Sequence, residues 1–160
     1  MKRNVSRSVQ LAPRGGFTLL EILIVLAIII VIAAMVVPNL VGAQQKANED
    51  ATYATIKNVE SVAQRYAVDH GGAFYNGSGQ SAWQEFITPE PFRGKNIRPY
   101  YQEPPTDAWG NILSYEWNGD GHSKSSNALT PAIWSFGPNG QDDGGEGDDI
   151  NNWTSTVAQQ

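Results

Sequence analysis

Gly16-Phe17-Thr18-Leu19-Leu20-Glu21 opens an apolar run that continues to Val37. The segment from Phe17 to Val37 holds 21 residues, and Glu21 is the only charged residue among them. As a helix that rises ~1.5 Å per residue, it would be roughly 31 Å long, close to the ~30 Å hydrocarbon thickness of a bilayer. The sequence therefore predicts a helix that spans a membrane once.

Glu21 is the unusual residue of this segment. An ionised side chain near the centre of a membrane helix costs about 2.5–3.5 kcal/mol or more, so an acid at this depth indicates a function. No basic residue lies between Arg14 and Lys46 to pair with it. Cleavage between Gly16 and Phe17 would supply a cation, because the new α-amino group of Phe17 is positively charged. In a free monomer, Glu21 could instead snorkel to the membrane interface.

The first 16 residues carry four basic side chains and no acidic one, which is typical of the cytoplasmic flank of a membrane span. A secretory signal cleaved after Val41-Gly42-Ala43 and an uncleaved signal anchor are two other interpretations. The apolar run is longer than the ~7–15 residues of a secretory signal, and neither alternative explains Glu21. We therefore predict a basic leader over residues 1–16 and a transmembrane helix over residues 17–38.

The charge of the remaining chain limits its partners. Without the leader it keeps 7 basic and 16 acidic side chains, a formal charge of 7 − 16 = −9. Such a balance leaves no basic patch to neutralise phosphates, so we expect no nucleic-acid partner, and it favours a cation. The chain has no cysteine, and therefore no disulfide supports an exported domain.

A helical pattern continues beyond the apolar run. It extends over residues 39–72 and ends at His70-Gly71-Gly72, which is typical of a helix C-terminus. A proline inside a helix removes a backbone hydrogen bond, so Pro38 predicts a kink. Apolar residues at spacings near three and four predict one stripe of an amphipathic helix, formed by Leu40, Ala43, Ala47, Ala51, Ala54, Val59, Val62, Ala63 and Tyr66.

Residues 73–153 form the predicted head, and residues 154–160 a loose tail. All five tryptophans lie in the head, which indicates a small core rich in aromatic side chains. The local patterns predict a loop, a short helix and two strands, in the order Ala73–Gln80, Ala82–Ile87, Ile112–Trp117 and Ala132–Phe136.

A glycine-rich segment near the end of the head carries five carboxylates between Asp142 and Asp149. These groups would repel one another in a compact loop, and a hard cation such as Ca²⁺, which takes about six to eight oxygen ligands, would relieve that repulsion. The composition is equally compatible with a solvated acidic loop. An EF-hand frame that starts at Asn139 fails, because Ile150 stands where a bidentate glutamate is required.

The N-terminal segment Arg14-Gly15-Gly16-Phe17-Thr18-Leu19-Leu20-Glu21, with its basic leader and Pro38, resembles the type III signal of type IV pilins and type II secretion pseudopilins. The resemblance implies that a prepilin peptidase cleaves between Gly16 and Phe17 and methylates the new amino group. It also implies that Glu21 pairs with the N-terminal amine of a neighbouring subunit. In that family the helix just before the proline can become extended in the filament.

Two segments of the head resemble the major pseudopilin of type II secretion. One is Pro-Thr-Asp-Ala-Trp-Gly-Asn at 105–111, and the other is the loop at 136–149 with its flanks. The resemblance implies that Asp148, Asp149 and the carbonyl of Phe136 bind Ca²⁺. Asn139 stands where an aspartate is usual. Because Asn139 is neutral, Asp142 or Asp143 would have to compensate.

We therefore predict an α+β fold in which a long N-terminal helix packs on a small antiparallel sheet, closed by a calcium loop. The resemblance implies a structural, non-enzymatic subunit of the bacterial inner membrane, with its N-terminus in the cytoplasm and its head in the periplasm. It would polymerise into a filament that drives protein export across the outer membrane. Its expected partners are further copies of itself, the prepilin peptidase, minor pseudopilins and the inner-membrane secretion platform.

Two alternatives remain. A type IV pilin would serve adhesion, motility or DNA uptake, but many such pilins close their C-terminal region with a disulfide, and this chain has no cysteine. A membrane-tethered hydrolase would use Glu116, Asp120 and His122. Their Asn/Gly/Ser-rich surroundings contain nothing that would bury or orient these groups for catalysis.

Overall fold

The computed structural model describes residues 16–125 and 128–154. Most of the predicted leader, residues 1–15, and most of the predicted tail, residues 155–160, therefore lie outside the described part. In chain order the elements are helix α1 (Leu19–Asp69), strand β1 (Gly77–Ser78), a 3₁₀ turn (Gln80–Ala82), helix α2 (Trp83–Ile87), and strands β2 (Ser114–Trp117), β3 (Ala132–Ser135) and β4 (Ile150–Asn151). This is the α+β fold that the sequence predicts.

The chain divides into two compact units, Met1–Gly42 and Ala43–Gln160. In the first unit, α1 exposes its apolar side chains all round, and its most apolar 18-residue window has no buried residue. It is also long and apolar enough to cross a membrane. A continuous, fully exposed apolar helix of this length requires lipid or other apolar helices around it.

Helix α1 continues through Pro38, and the neighbouring Asn39 donates a side-chain hydrogen bond to the carbonyl of Met35 at 3.2 Å. The kink at Pro38 stays a prediction. The helix ends at Asp69, as the sequence predicts, because Gly71 takes a positive φ of 77° and the chain turns away. His70 serves this end through a ring nitrogen, Nδ1, that lies 2.8 Å from the carbonyl of Tyr66.

The buried face of α1 differs from the predicted one. In the second unit α1 buries Thr52, Ile56, Val59, Ala63, Tyr66 and Ala67. Of the predicted stripe, Val59, Ala63 and Tyr66 are buried and Val62 is half-buried. The members nearer the N-terminus are exposed, so that part of the prediction is wrong: Leu40, Ala43, Ala47, Ala51 and Ala54. Alanine fits either face and carries little directional signal. Thr52 is buried because its hydroxyl accepts a hydrogen bond from the backbone N–H of Ala108 at 3.1 Å.

The four strands form one antiparallel sheet in the order β1-β2-β3-β4. Its centre pairs Tyr115 with Ile133, and β4 pairs through Asn151 with Trp134. Both predicted strands exist, but they are shorter than predicted, and Phe136 lies just beyond the end of β3. Strand β1 lies within residues 73–80, so the prediction of a plain loop there is wrong. Strands β1 and β4 have two residues each, which is too few to show an alternating pattern in the sequence.

The core of the head lies between α1, α2 and the sheet. Trp83 anchors it, because its indole N–H donates to the carbonyl of Leu113 at 2.6 Å while its ring is 1% exposed. Tyr115 is fully buried and donates to the carbonyl of Tyr75 at 2.8 Å. Satisfied polar tips let these large rings bury their area without a desolvation penalty. The cluster consists of Ile56, Val59, Ala63, Tyr66, Ala82, Trp83, Phe86, Leu113, Tyr115, Trp117 and Ile133.

Candidate assembly and cation sites

Glu21 lies in the first turn of α1, where it forms a reciprocal cap with Thr18. Its Oε2 accepts hydrogen bonds from the backbone N–H of Thr18 at 2.8 Å and from the Thr18 hydroxyl at 3.2 Å. In return, the backbone N–H of Glu21 donates to the Thr18 hydroxyl at 3.2 Å. This is a capping box, and its Thr-x-x-Glu signal is present in the sequence at residues 18–21. The cap explains why α1 begins at Leu19 and not at Phe17.

The cap also fixes the position of the Glu21 carboxylate. Donors at a helix N-terminus and the positive end of the helix dipole both stabilise a carboxylate. Glu21 is therefore held at a defined position beside the start of α1, with Phe17 directly before the cap and 87% exposed.

Gly16 lies in an exposed, non-helical segment immediately before Phe17. A Cβ atom placed on Gly16 would meet no atom of the described residues, 16–125 and 128–154, within 4 Å. Local packing therefore gives no reason for a glycine at this position.

In the acidic loop, Asn139 joins two of the carboxylates. Its side-chain Nδ2 donates to Asp148 Oδ1 at 2.5 Å and to Asp143 Oδ2 at 3.3 Å, and its backbone N–H donates to Asp148 Oδ2 at 3.1 Å. The structure thus brings together Asn139, Asp143 and Asp148. The Asn139 amide presents its partly positive N–H₂ group to two negative groups and reduces their repulsion.

Asp149 is held by backbone groups of the same loop. Its Oδ2 accepts hydrogen bonds from the N–H of Gly145 at 2.7 Å and of Asp143 at 3.1 Å. Its Oδ1 is buried and has no hydrogen-bond partner. Burial, together with the charges of Asp142 and Asp143, raises the pKa of the Asp149 carboxyl above 3.8, although the two backbone N–H groups oppose the shift. A buried carboxylate oxygen without a donor is the kind of atom that a cation would satisfy.

Asp142 and Phe136, the other two predicted calcium ligands, make no hydrogen bond to Asp148 or Asp149 that the structure shows. Asp142 Oδ1 accepts hydrogen bonds from the indole N–H of Trp134 at 2.9 Å and from the backbone N–H of Gly144 at 3.0 Å. It therefore ties the acidic loop to strand β3. Phe136 is half-buried directly after β3, and its role as a carbonyl ligand stays a prediction. Within residues 16–125 and 128–154, no group of three or more acidic or histidine side chains is arranged to hold a metal ion. Asp142, Asp143, Asp148 and Asp149 instead accept hydrogen bonds from side-chain and backbone N–H groups.

The three residues of the hydrolase alternative have local structural roles. The carboxylate of Glu116 accepts from the N–H of Ser123 at 2.6 Å and from its hydroxyl at 3.0 Å. His122 is buried beside Trp153, and its Nδ1 accepts from the N–H of Lys124 at 3.1 Å. Burial lowers the pKa of His122. Asp120 lies on an exposed turn. These contacts fold the loop after β2.

The chain resembles known proteins along most of its length. Residues 39–153 match the family described as Type II secretion system (T2SS), protein G, and residues 11–37 match the prokaryotic N-terminal methylation motif. Type II secretion system core protein G of Vibrio cholerae serotype O1 is 34% identical over 148 residues, which cover 90% of this chain and 94% of that protein.

Proteins of the same name in two other bacteria are similar to this chain. The one from Pectobacterium carotovorum is 36% identical over 141 residues, covering 86% of this chain and 83% of that protein. The one from Escherichia coli K12 is 34% identical over 139 residues, covering 86% of this chain and 90% of that protein. Because one family accounts for the head and most of α1, and these relatives align over most of their own lengths, this chain belongs to the type II secretion system protein G family.

Proposed function

We propose that this chain is the structural subunit of a type II secretion pseudopilus, in which many copies polymerise through α1 and help to move proteins across the outer membrane. The observation that carries the proposal is the fully exposed apolar part of α1, capped by Glu21, in a member of the protein G family. A type IV pilin has no comparable support, because the matching family and the relatives named above all belong to type II secretion. The role is structural and requires no catalytic site.

Assembly follows from the physics of α1. In the membrane its apolar surface faces lipid, and in a filament the same surface would face the α1 helices of other copies. Glu21 would then pair with the α-amino group of Phe17 in a neighbouring copy, so that neither charge lies unpaired in an apolar interior. The pair also fixes the axial register between copies, because a shift of one helical turn, about 5.4 Å, separates the two charges.

The placement of the subunit follows from the leader. Four basic residues before the span favour a cytoplasmic N-terminus and therefore a periplasmic head, on a single-pass chain in the bacterial inner membrane. The partners of this arrangement are further copies of the chain, the prepilin peptidase that processes Gly16-Phe17, minor pseudopilins and the inner-membrane secretion platform. No nucleic acid is involved, because the exported part is strongly acidic.

The head is proposed to bind one Ca²⁺ ion in the acidic loop. The residues fit a hard cation, because the buried Oδ1 of Asp149 has no partner and because Asp143 and Asp148 share a single amide. Asp148, Asp149 and Asn139, with the Phe136 carbonyl, would hold the ion. Asp143 is the better candidate than Asp142 for the compensating charge, since Asp142 Oδ1 is committed to Trp134 and Gly144. The ion would supply positive charge that offsets the mutual repulsion of the carboxylates.

Processing at Gly16 is the first test. In cells that contain a prepilin peptidase, mass spectrometry of the membrane form should find a chain that begins at N-methylated Phe17. Gly16→Val should leave the leader attached, because a branched side chain blocks the bond before Phe17. Ala43→Val is the matched control, since it would block only a conventional secretory cleavage and should change nothing. A chain that begins at Gln44 would contradict the pseudopilin assignment.

Asn139 offers a test of the calcium ligands. Asn139→Asp should tighten calcium binding by about tenfold, because a negative ligand, in addition to Asp148 and Asp149, replaces a neutral amide. In chelator the same variant should melt lower than the parent, since it loses the N–H₂ group that joins Asp143 and Asp148. Titration calorimetry on the full mature chain in detergent measures the affinity. Asn118→Asp, on an exposed turn outside the loop, adds the same charge and should do neither. Equal effects of the two variants would remove Asn139 from the ligand set.

A further inference from the structure

Asp107 is a buried carboxylate whose hydrogen bonds reach beyond its own turn. It is 6% exposed and lies in the loop that leads to β2. Its Oδ1 accepts from the N–H of Trp109 at 2.9 Å and of Asn111 at 2.8 Å, which is a local turn. Its Oδ2 accepts from Asn111 Nδ2 at 3.1 Å and from the hydroxyl of Ser135 at 2.6 Å. The last bond crosses to the end of β3, so the role of Asp107 is not confined to residues 107–111.

Ser135 and Asn111, which both donate hydrogen bonds to Asp107, also bind the backbone of Gly137, the first glycine of the acidic loop. The hydroxyl of Ser135 donates to Asp107 and accepts from the N–H of Gly137 at 3.0 Å. The side-chain amide of Asn111 donates to Asp107 and to the carbonyl of Gly137 at 3.1 Å. Both polar backbone groups of Gly137 are therefore held by side chains that Asp107 orients.

Gly137 lies where the two ends of the acidic loop meet. Its φ is 62°, and a Cβ atom at this position would overlap the backbone carbonyl of Asp148 and lie 2.9 Å from its Oδ2. The backbone of Gly137 therefore packs directly against Asp148, one of the proposed calcium ligands. A displacement of Gly137 moves the start of the loop relative to Asp148.

We propose that Asp107, acting through Ser135 and Asn111, is a positioning residue that fixes the entry of the acidic loop against Asp148 and thereby sets the calcium affinity. This inference rests on the calcium site proposed above. A loop whose ends are already held in place loses less conformational entropy when it binds an ion, and so binds it more tightly. The carboxylate of Asp107 orients the loop and does not itself ligate the ion.

The first test needs no calcium. Amide hydrogen exchange of the full mature chain in detergent and chelator reports how firmly residues 137–148 are held. Asp107→Asn, which keeps the shape but removes an acceptor, and Ser135→Ala should each speed exchange there by about tenfold. Ser114→Ala is the matched control, because Ser114 is 2% exposed on the neighbouring strand β2 and should leave the loop unchanged. Unchanged exchange in both variants overturns the proposal.

The second test separates positioning from plain stabilisation. Calcium titration of the same proteins, well below their melting temperatures, should show about tenfold weaker binding in Ser135→Ala than in Ser114→Ala. A lower melting temperature with an unchanged calcium affinity means that the cluster only stabilises the fold, and overturns the proposal. If the parent binds no calcium, the calcium site itself is wrong, and the exchange result still decides whether Asp107 holds the loop. Should Asp107→Asn fail to fold, Ser135→Ala decides alone.

Discussion

Glu21→Ala is expected to abolish filament assembly while the chain stays in the membrane. Without the carboxylate, the Phe17 amine of each neighbouring copy would be buried unpaired, at a cost of about 2.5–3.5 kcal/mol per contact. That corresponds to roughly a hundredfold loss in each association step. Because many such steps build a filament, the yield should fall below detection. The free monomer should insert at least as readily, since a charge has left the apolar segment.

Glu21→Gln separates the two roles of this side chain. Glutamine can replace glutamate in a capping box, so the cap on Thr18 and the start of α1 should survive. The charge is lost, and assembly should fail as it does in Glu21→Ala. Glu49→Gln, outside the membrane segment, is the control and should assemble normally. The yield of sedimentable filaments and of cross-linked neighbours measures assembly. Normal yield from Glu21→Gln would show that the cap, and not the charge pair, is what assembly requires.

Calcium is expected to raise the melting temperature of the head by an amount on the order of 10 °C. A ligand that binds only the folded chain adds RT ln(1 + [L]/Kd), about 2.7 kcal/mol at a concentration ~100 times Kd. The head has no disulfide, so such a gain is a large share of its stability. Differential scanning calorimetry of the full mature chain in detergent, with calcium or with chelator, measures the shift. Mg²⁺ should act much less, because it requires a tighter octahedral site.

Two variants locate this effect. Asp148→Ala and Asp149→Ala should each erase most of the calcium shift. Both should also melt lower than the parent in chelator. Asp148→Ala leaves the N–H groups of Asn139 without their acceptor, and Asp149→Ala does the same to the N–H groups of Asp143 and Gly145. Removal of such an acceptor costs about 1–3 kcal/mol where the donors are buried. A head that melts at the same temperature with and without calcium, and whose Asp148→Ala form is as stable as the parent, would leave the loop as solvated surface.

The parts of the fold that the sequence predicts correctly are those with long or strong local patterns. The apolar run and the turn at Gly71 bound α1 almost to the residue, and Leu113, Tyr115 and Trp117, at alternate positions in and just before β2, are all buried in the core. Strands β1 and β4 exist only because longer strands pair with them, so nothing local indicates them. The face of α1 is misassigned at Ala51 and Ala54, because the hydrogen bond that buries Thr52 comes from Ala108, 56 residues away.

The candidate sites also differ in whether their signal in the sequence is local or depends on distant residues. The N-terminal site is encoded within a few residues, and even the cap between Thr18 and Glu21 has a local signal. Composition indicates the acidic loop, but not which carboxylates meet. The bond from Asn139 to Asp148 spans nine residues, and the bond from Asp107 to Ser135 spans 28. Such contacts depend on the sheet that brings the segments together, so only the folded chain shows them.

Electron cryo-microscopy of filaments tests the central claim most directly. The chain would be produced together with a prepilin peptidase and a type II secretion platform, and the sheared filaments would be imaged. The account predicts a helical filament of processed chains with their apolar helices inside and their heads outside. In it, the Glu21 carboxylate would lie within hydrogen-bond distance of the Phe17 amine of a neighbouring copy. Chains that are processed but stay monomeric, or a filament in which Glu21 faces away from every Phe17 amine, would contradict it.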